Sequence, residues 1–150
     1  MKNLKVLLLL TACSSLFCSH VTAQNSEIVF HRPKNPARVS APFSEVVQAG
    51  NLYFLAGQIG MDRTAGKLAE GGIQGETEQT IENIKEVLAY HGLSLDNVVK
   101  CTVILSDINN FKAFNEVYIK HFVKKPARTT FSAAGLAAGA KIEIDVVAVR

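Results

Sequence analysis

Residues 126–150 read PARTTFSAAGLAAGAKIEIDVVAVR: two short segments with strand character, joined by alanines and glycines. In KIEIDVVAV (141–149) the alternation puts Ile142, Ile144, Val146 and Ala148 on one face and Glu143, Asp145, Val147 and Val149 on the other. Two charged residues, Arg128 and Glu143, interrupt the apolar pattern. The spacing alone leaves two readings open. Both residues can be ordinary surface charges of a sheet. Alternatively, the two strands lie side by side and direct both residues into one cleft. There a guanidinium fork would suit a carboxylate ligand and a glutamate could move a proton or position water.

Working outward, EIVFH (27–31) predicts a short first strand, and SEVVQAGNLYFLAGQIG (44–60) two strands around a hairpin turn at Ala49-Gly50-Asn51. MDRTAGKLAEGG (61–72) carries turn residues without periodicity and reads as loop. The first helix is expected in ETEQTIENIKEVLAYHG (76–92), where Ile81, Ile84 and Leu88, with Val87 beside them, form an apolar stripe. Glu76 and Glu78 suit its N-terminal end, Gly92 its stop, and His91 the carbonyls of its last turn. VVKCTVIL (98–105) is a buried strand. A second helix, capped by Asp107 or Asn109, carries Phe111, Phe114, Tyr118 and Phe122 on one side and ends before Pro126. The order strand, strand, strand, helix, strand, helix, strand, strand predicts a single α+β domain, with two helices packed on one face of a mixed sheet. Strands this apolar leave the opposite face in need of cover, which a homo-oligomer would supply.

The first 23 residues belong to a different logic. A basic start, an apolar run and Val21-Thr22-Ala23 predict a signal peptide over 1–23, cleaved before Gln24, and a domain over 24–150 in the periplasm or secreted. The run is shorter than the roughly 20 apolar residues of a membrane span. Leu10-Thr11-Ala12-Cys13 offers the alternative of a lipoprotein anchored through Cys13. Loss of Lys2 and Lys5 would take the 16 basic and 13 acidic residues to 14 and 13. No basic cluster remains to track a phosphate backbone, so nucleic-acid binding is disfavoured. Cys101 would be the lone thiol of the domain and reads as a small buried hydrophobe.

Several familiar chemistries are excluded by spacing. GLAAGAK (135–141) lacks the glycine separation and the Lys-Ser/Thr pair of a phosphate loop. His31, His91 and His121 match no metal-ligand spacing, and no G-x-S-x-G elbow occurs.

FLAGQIGMD (54–62), NVVKCTVILSDINNF (97–111), PARTTF (126–131) and KIEIDVVAV together resemble the RidA (reactive intermediate deaminase, YjgF-type) family over residues 26–150. The resemblance implies a chorismate-mutase-like homotrimer with a cleft at each subunit interface. It implies hydrolysis of reactive 2-imino acids to 2-oxo acids and ammonia, with no metal and no organic cofactor. Carried over by position, Arg128 would grip the substrate carboxylate and Glu143 would serve the reacting water. Asn115 and Gly57 would shape the cleft. Phe43 stands where many members have tyrosine, Ala56 where serine is common, and Thr130 where cysteine is frequent, which reduces the polar rim. A non-catalytic trimeric binder of small carboxylates in the same cleft is the alternative. Ribonuclease or holdase activity, known for some members, is a third class.

Overall fold

The computed structural model describes residues 27–35 and 38–150, so the expected signal segment and Cys13 lie outside the described residues. Among the described residues, eight strands and two α-helices follow in the order β1 (Ile28–His31), β2 (Val46–Ala49), β3 (Leu52–Ile59), β4 (Met61–Asp62), β5 (Lys67–Leu68), α1 (Gly72–Tyr90), β6 (Val98–Leu105), α2 (Phe111–His121), β7 (Ala127–Ser132) and β8 (Ile142–Val149). Six of the strands form one sheet, ordered β1-β2-β3-β8-β6-β7, in which only β6 and β7 run parallel. The domain is α+β, with both helices on one face, as the element order predicts.

The core forms where the two periodicities meet. Ile142, Ile144, Val146 and Ala148 of β8 are buried with Cys101, Val103 and Leu105 of β6 and Tyr53 and Leu55 of β3. Against them pack Ile81, Ile84, Val87 and Leu88 of α1 and Phe114, Val117 and Tyr118 of α2. The aromatic side of α2 is continuous, because Phe111, Phe114, Tyr118 and Phe122 make ring contacts in succession. The opposite sheet face carries a row in register across four strands: Phe30, Val47, Phe54 and Val147. Phe30 is 67% and Phe54 43% exposed, so a single copy leaves this row open. Among the described residues no helix is long and apolar enough to cross a membrane.

Two local expectations need correction. The 61–72 segment is a two-strand hairpin, not a plain loop: the Asp62 side chain accepts from the backbone N–H groups of Thr64 (2.8 Å) and Ala65 (3.0 Å). Those two bonds hold the Asp62 carboxyl below its usual range. The first helix starts four residues earlier than Glu76, at Gly72. The glycines that read as loop are needed because the chain enters the helix tightly. A Cβ on Gly75 would stand 1.8 Å from the Glu70 carbonyl oxygen.

Candidate active site

Arg128 and Glu143 do not share a cleft within one chain. The strands that carry them are not neighbours, because β6 lies between β7 and β8. Register then puts them on opposite faces. Arg128 pairs with Cys101, which is fully buried under the helices. Glu143 pairs with Ile104, on the face that the helices leave open. The expectation that the two strands lie side by side is therefore corrected: β7 makes a parallel crossover past α2 onto the outer edge of β6, while β8 inserts at the centre of the sheet.

Glu143 lies in a cleft of about 360 Å³ with Phe43, Gly57, Arg38, Arg63 and Ala137 in its lining. Its carboxylate rests on a backbone irregularity. Between the Leu55–Val146 and Gln58–Ile144 pairs, β3 advances three residues while β8 advances two, and Gly57 sits in that bulge. A Cβ on Gly57 would come within 2.0 Å of Glu143 Oε1, so glycine makes the space the carboxylate occupies. The base of β8 is tied down by Glu76, whose Oε2 accepts from the Lys141 backbone N–H at 2.7 Å. Glu76 is buried, an interior role that its reading as a helix-terminus acid missed. The cleft's two arginines are already committed. Arg38 pairs with Glu45 at 3.3 Å, and Arg63 pairs with Glu86 at 2.7 Å while donating to Gln58 at 2.8 Å. Glu143 itself has no hydrogen-bond or ion-pair partner among the described residues.

Arg128 lies in a second cleft, of about 400 Å³, lined by Asn115, Tyr118, Ile119, Phe122, Lys125 and Pro126. Its Nη1 donates to Asn115 Oδ1 at 2.9 Å, so Asn115 orients the guanidinium. The charge stands 4.5 Å from the Tyr118 ring centroid and 5.2 Å from that of Phe114. No carboxylate pairs with Arg128 among the described residues. Two hydroxyls near it are buried without a hydrogen-bond partner, Tyr118 Oη and Thr130 Oγ1. Thr130 shares the helix-covered face with Arg128 but does not line the cleft. Burial also pushes the Cys101 thiol up to about 11, an inert core cysteine.

The sequence-predicted residues thus fall into two groups: Glu143, Gly57 and Phe43 in one cleft, Arg128 and Asn115 in the other. Reading α2 as a core stripe missed Tyr118 as the ring beside Arg128. The spacing of Asn115 and Tyr118 at i and i+3 was the available signal, since it puts them on one side of the helix. His91 also differs from expectation. Its ring packs on His31 (4.6 Å between centroids) and Tyr53 (5.7 Å) instead of serving the helix carbonyls.

Comparison with known proteins agrees with this architecture. Residues 33–150 match the family model described as Endoribonuclease L-PSP. A RutC family protein of Pyrococcus horikoshii is 39% identical over 125 residues, covering 83% of this chain and 98% of that protein. The human 2-iminobutanoate/2-iminopropanoate deaminase is 39% identical over 123 residues, covering 81% of this chain and 89% of its own. The crystal structure of the yeast protein YEO7 superposes with a TM-score of 0.75 at 38% identity, covering 83% of this chain and 99% of that one. The match spans the strands and helices that build both clefts, and the chain belongs to the Endoribonuclease L-PSP family, the RidA/YjgF family.

Proposed function

We propose that this protein hydrolyses 2-imino acids to 2-oxo acids and ammonia, in clefts formed between copies of the chain in a homotrimer. The observation that carries this reading is the division of unpaired charge. One chain holds a half-buried carboxylate without a partner on the open sheet face and a guanidinium without a carboxylate on the helix-covered side. Each half lacks what the other has. The open apolar row of Phe30, Val47, Phe54 and Val147 supplies a face for the association. The likeness to the human 2-iminobutanoate/2-iminopropanoate deaminase supports the same reaction class.

A protonated imine is already an electrophile at C2, so the site needs no metal or organic cofactor to activate it. Arg128, held by Asn115, would anchor the substrate carboxylate through charge-assisted hydrogen bonds. Glu143 would take a proton from water as its oxygen bonds to C2, giving a tetrahedral amino alcohol. It would return that proton to the nitrogen and take up the hydroxyl proton as the C–N bond breaks and the C=O forms, releasing the 2-oxo acid and ammonia, and would pass this second proton on to the ammonia or to solvent. One observation favours a second reading, a binder of small carboxylates without turnover: the Glu143 cleft presents the phenyl ring of Phe43, which brings no hydroxyl to the reacting groups. Adding the purified protein to a threonine dehydratase and following 2-oxobutanoate release separates the two. Acceleration at micromolar protein supports the deaminase; tight binding of 2-oxobutanoate with no acceleration supports the binder. We also propose export through residues 1–23, with the mass of the mature N-terminus separating cleavage before Gln24 from lipidation of Cys13.

A further inference from the structure

The Arg128 cleft carries more positive charge than one carboxylate requires. Lys125 lines it together with Arg128, and no acidic residue does. This contrasts with the Glu143 cleft, where Arg38 and Arg63 are each neutralised by a glutamate. It also contrasts with the adjacent lysine, since Lys124 pairs with Asp96 at 3.6 Å. Among the described residues the Lys125 ammonium has no ion pair or hydrogen-bond partner. Its backbone is held at φ 51°, in the left-handed region, with its N–H donating to the Phe122 carbonyl at 3.0 Å. Lysine thus stands at a turn position that glycine would fill with less strain.

Apart from Asn115, the rest of the lining is aromatic and apolar. Tyr118 lines the same cleft and is only 5% exposed, yet its hydroxyl lacks a hydrogen-bond partner. The Cys101 thiol and the Arg128 guanidinium lie beside that hydroxyl. Burial raises its pKa, which keeps it a donor. The cleft therefore offers two cations, with Ile119 and Pro126 as an apolar wall for the carbons between two anionic groups.

We propose that Lys125 is a specificity-determining residue that selects dicarboxylic ligands, so that the favoured substrates are 2-imino acids bearing a second carboxylate, such as those derived from acidic amino acids. This rests on the reading that Arg128 anchors the carboxylate next to C2. The test is calorimetric titration of the full protein with 2-oxoglutarate and with 2-oxopentanoate, which share a five-carbon chain and differ in the second carboxylate. The wild type is expected to bind 2-oxoglutarate about five- to tenfold more tightly. Lys125→Gly, which suits the φ of the turn, should bring the two within about twofold, chiefly by weakening 2-oxoglutarate binding. Equal affinities in the wild type, or a preference that survives Lys125→Gly, overturns the inference while leaving Arg128 in place. Failure of both acids to bind, or binding of both undiminished by Arg128→Ala, overturns the anchoring reading and this inference with it.

Discussion

Gly57→Ala isolates the position of the Glu143 carboxylate from almost everything else. The added methyl would stand 2.0 Å from Oε1, 2.8 Å from Cδ and 3.0 Å from Cγ of Glu143. Ordinary contact begins at 3.4 Å, so the carboxylate oxygen must retreat by about 1.4 Å. Gly57 is outside the left-handed region, so alanine fits the backbone. The atoms displaced are the end of a flexible side chain, whose rotation costs about 0.5–1.5 kcal/mol. Stability should therefore fall by no more than that. Catalysis is less forgiving, since a misplacement of about 1 Å can cost about a hundredfold. At about 1.4 kcal/mol per tenfold, this is about 2.7 kcal/mol of transition-state stabilisation. The assay is 2-oxobutanoate release in the dehydratase-coupled reaction, beside urea unfolding of the same preparation. A variant with stability near wild type and kcat within threefold of it would refute the placement of Glu143 at the reacting water. Loss of activity explained by unfolding would refute the claim that the methyl acts locally.

Arg128→Lys keeps the charge but loses the planar fork and the bond to Asn115; with charge-assisted contacts worth about 1.5–3 kcal/mol, kcat/KM should drop about 10- to 100-fold in the coupled assay. Cys101, with its thiol pushed up to about 11, should react with a disulfide reagent at pH 8 only once guanidinium unfolds the protein; fast labelling of the native state would contradict its burial. His91 is held below the imidazole's usual 6.5, first by burial and then by the facing charges of His31, Lys34 and Arg150. A depressed folded-state value means that the unfolded chain binds the proton more readily. Stability present above pH 6.5 is then lost as pH falls toward the folded value, and urea midpoints between pH 8 and 5 should flatten in His91→Phe.

Elements dictated by side-chain periodicity were legible in the sequence. The alternation in 141–149 assigned every buried residue of β8 correctly, and the spacing of Ile81, Ile84 and Leu88 found the buried side of α1. Gly50-Asn51 gave the two-residue hairpin between β2 and β3, since only the turn and its flanks are needed to specify it. What local pattern cannot encode is strand order. Nothing in PARTTFSAAGLAAGAKIEI says that β6 separates the two strands, so the reading that lays them side by side does not hold. Glycines were misread for a related reason. Gly71 and Gly72 look like loop, yet the helix starts at Gly72, and the Glu70 carbonyl packed against Gly75 shows why its first turn carries a glycine. Glu76 was assigned to a helix end because its partner, the Lys141 N–H, lies 65 residues away.

The central claim is that Arg128 and Glu143 act together only across a boundary between copies of the chain, as their opposite faces within one chain require. Arg128→Ala and Glu143→Gln should each abolish imine hydrolysis alone. Co-refolded in equal amounts into closed rings of three, they give one intact arginine–glutamate boundary in each mixed ring, or about one boundary in four when the unmixed quarter of the rings is included. The account predicts recovery of about a quarter of wild-type activity on mixing. Mixed oligomers confirmed by native mass spectrometry but lacking activity would contradict it.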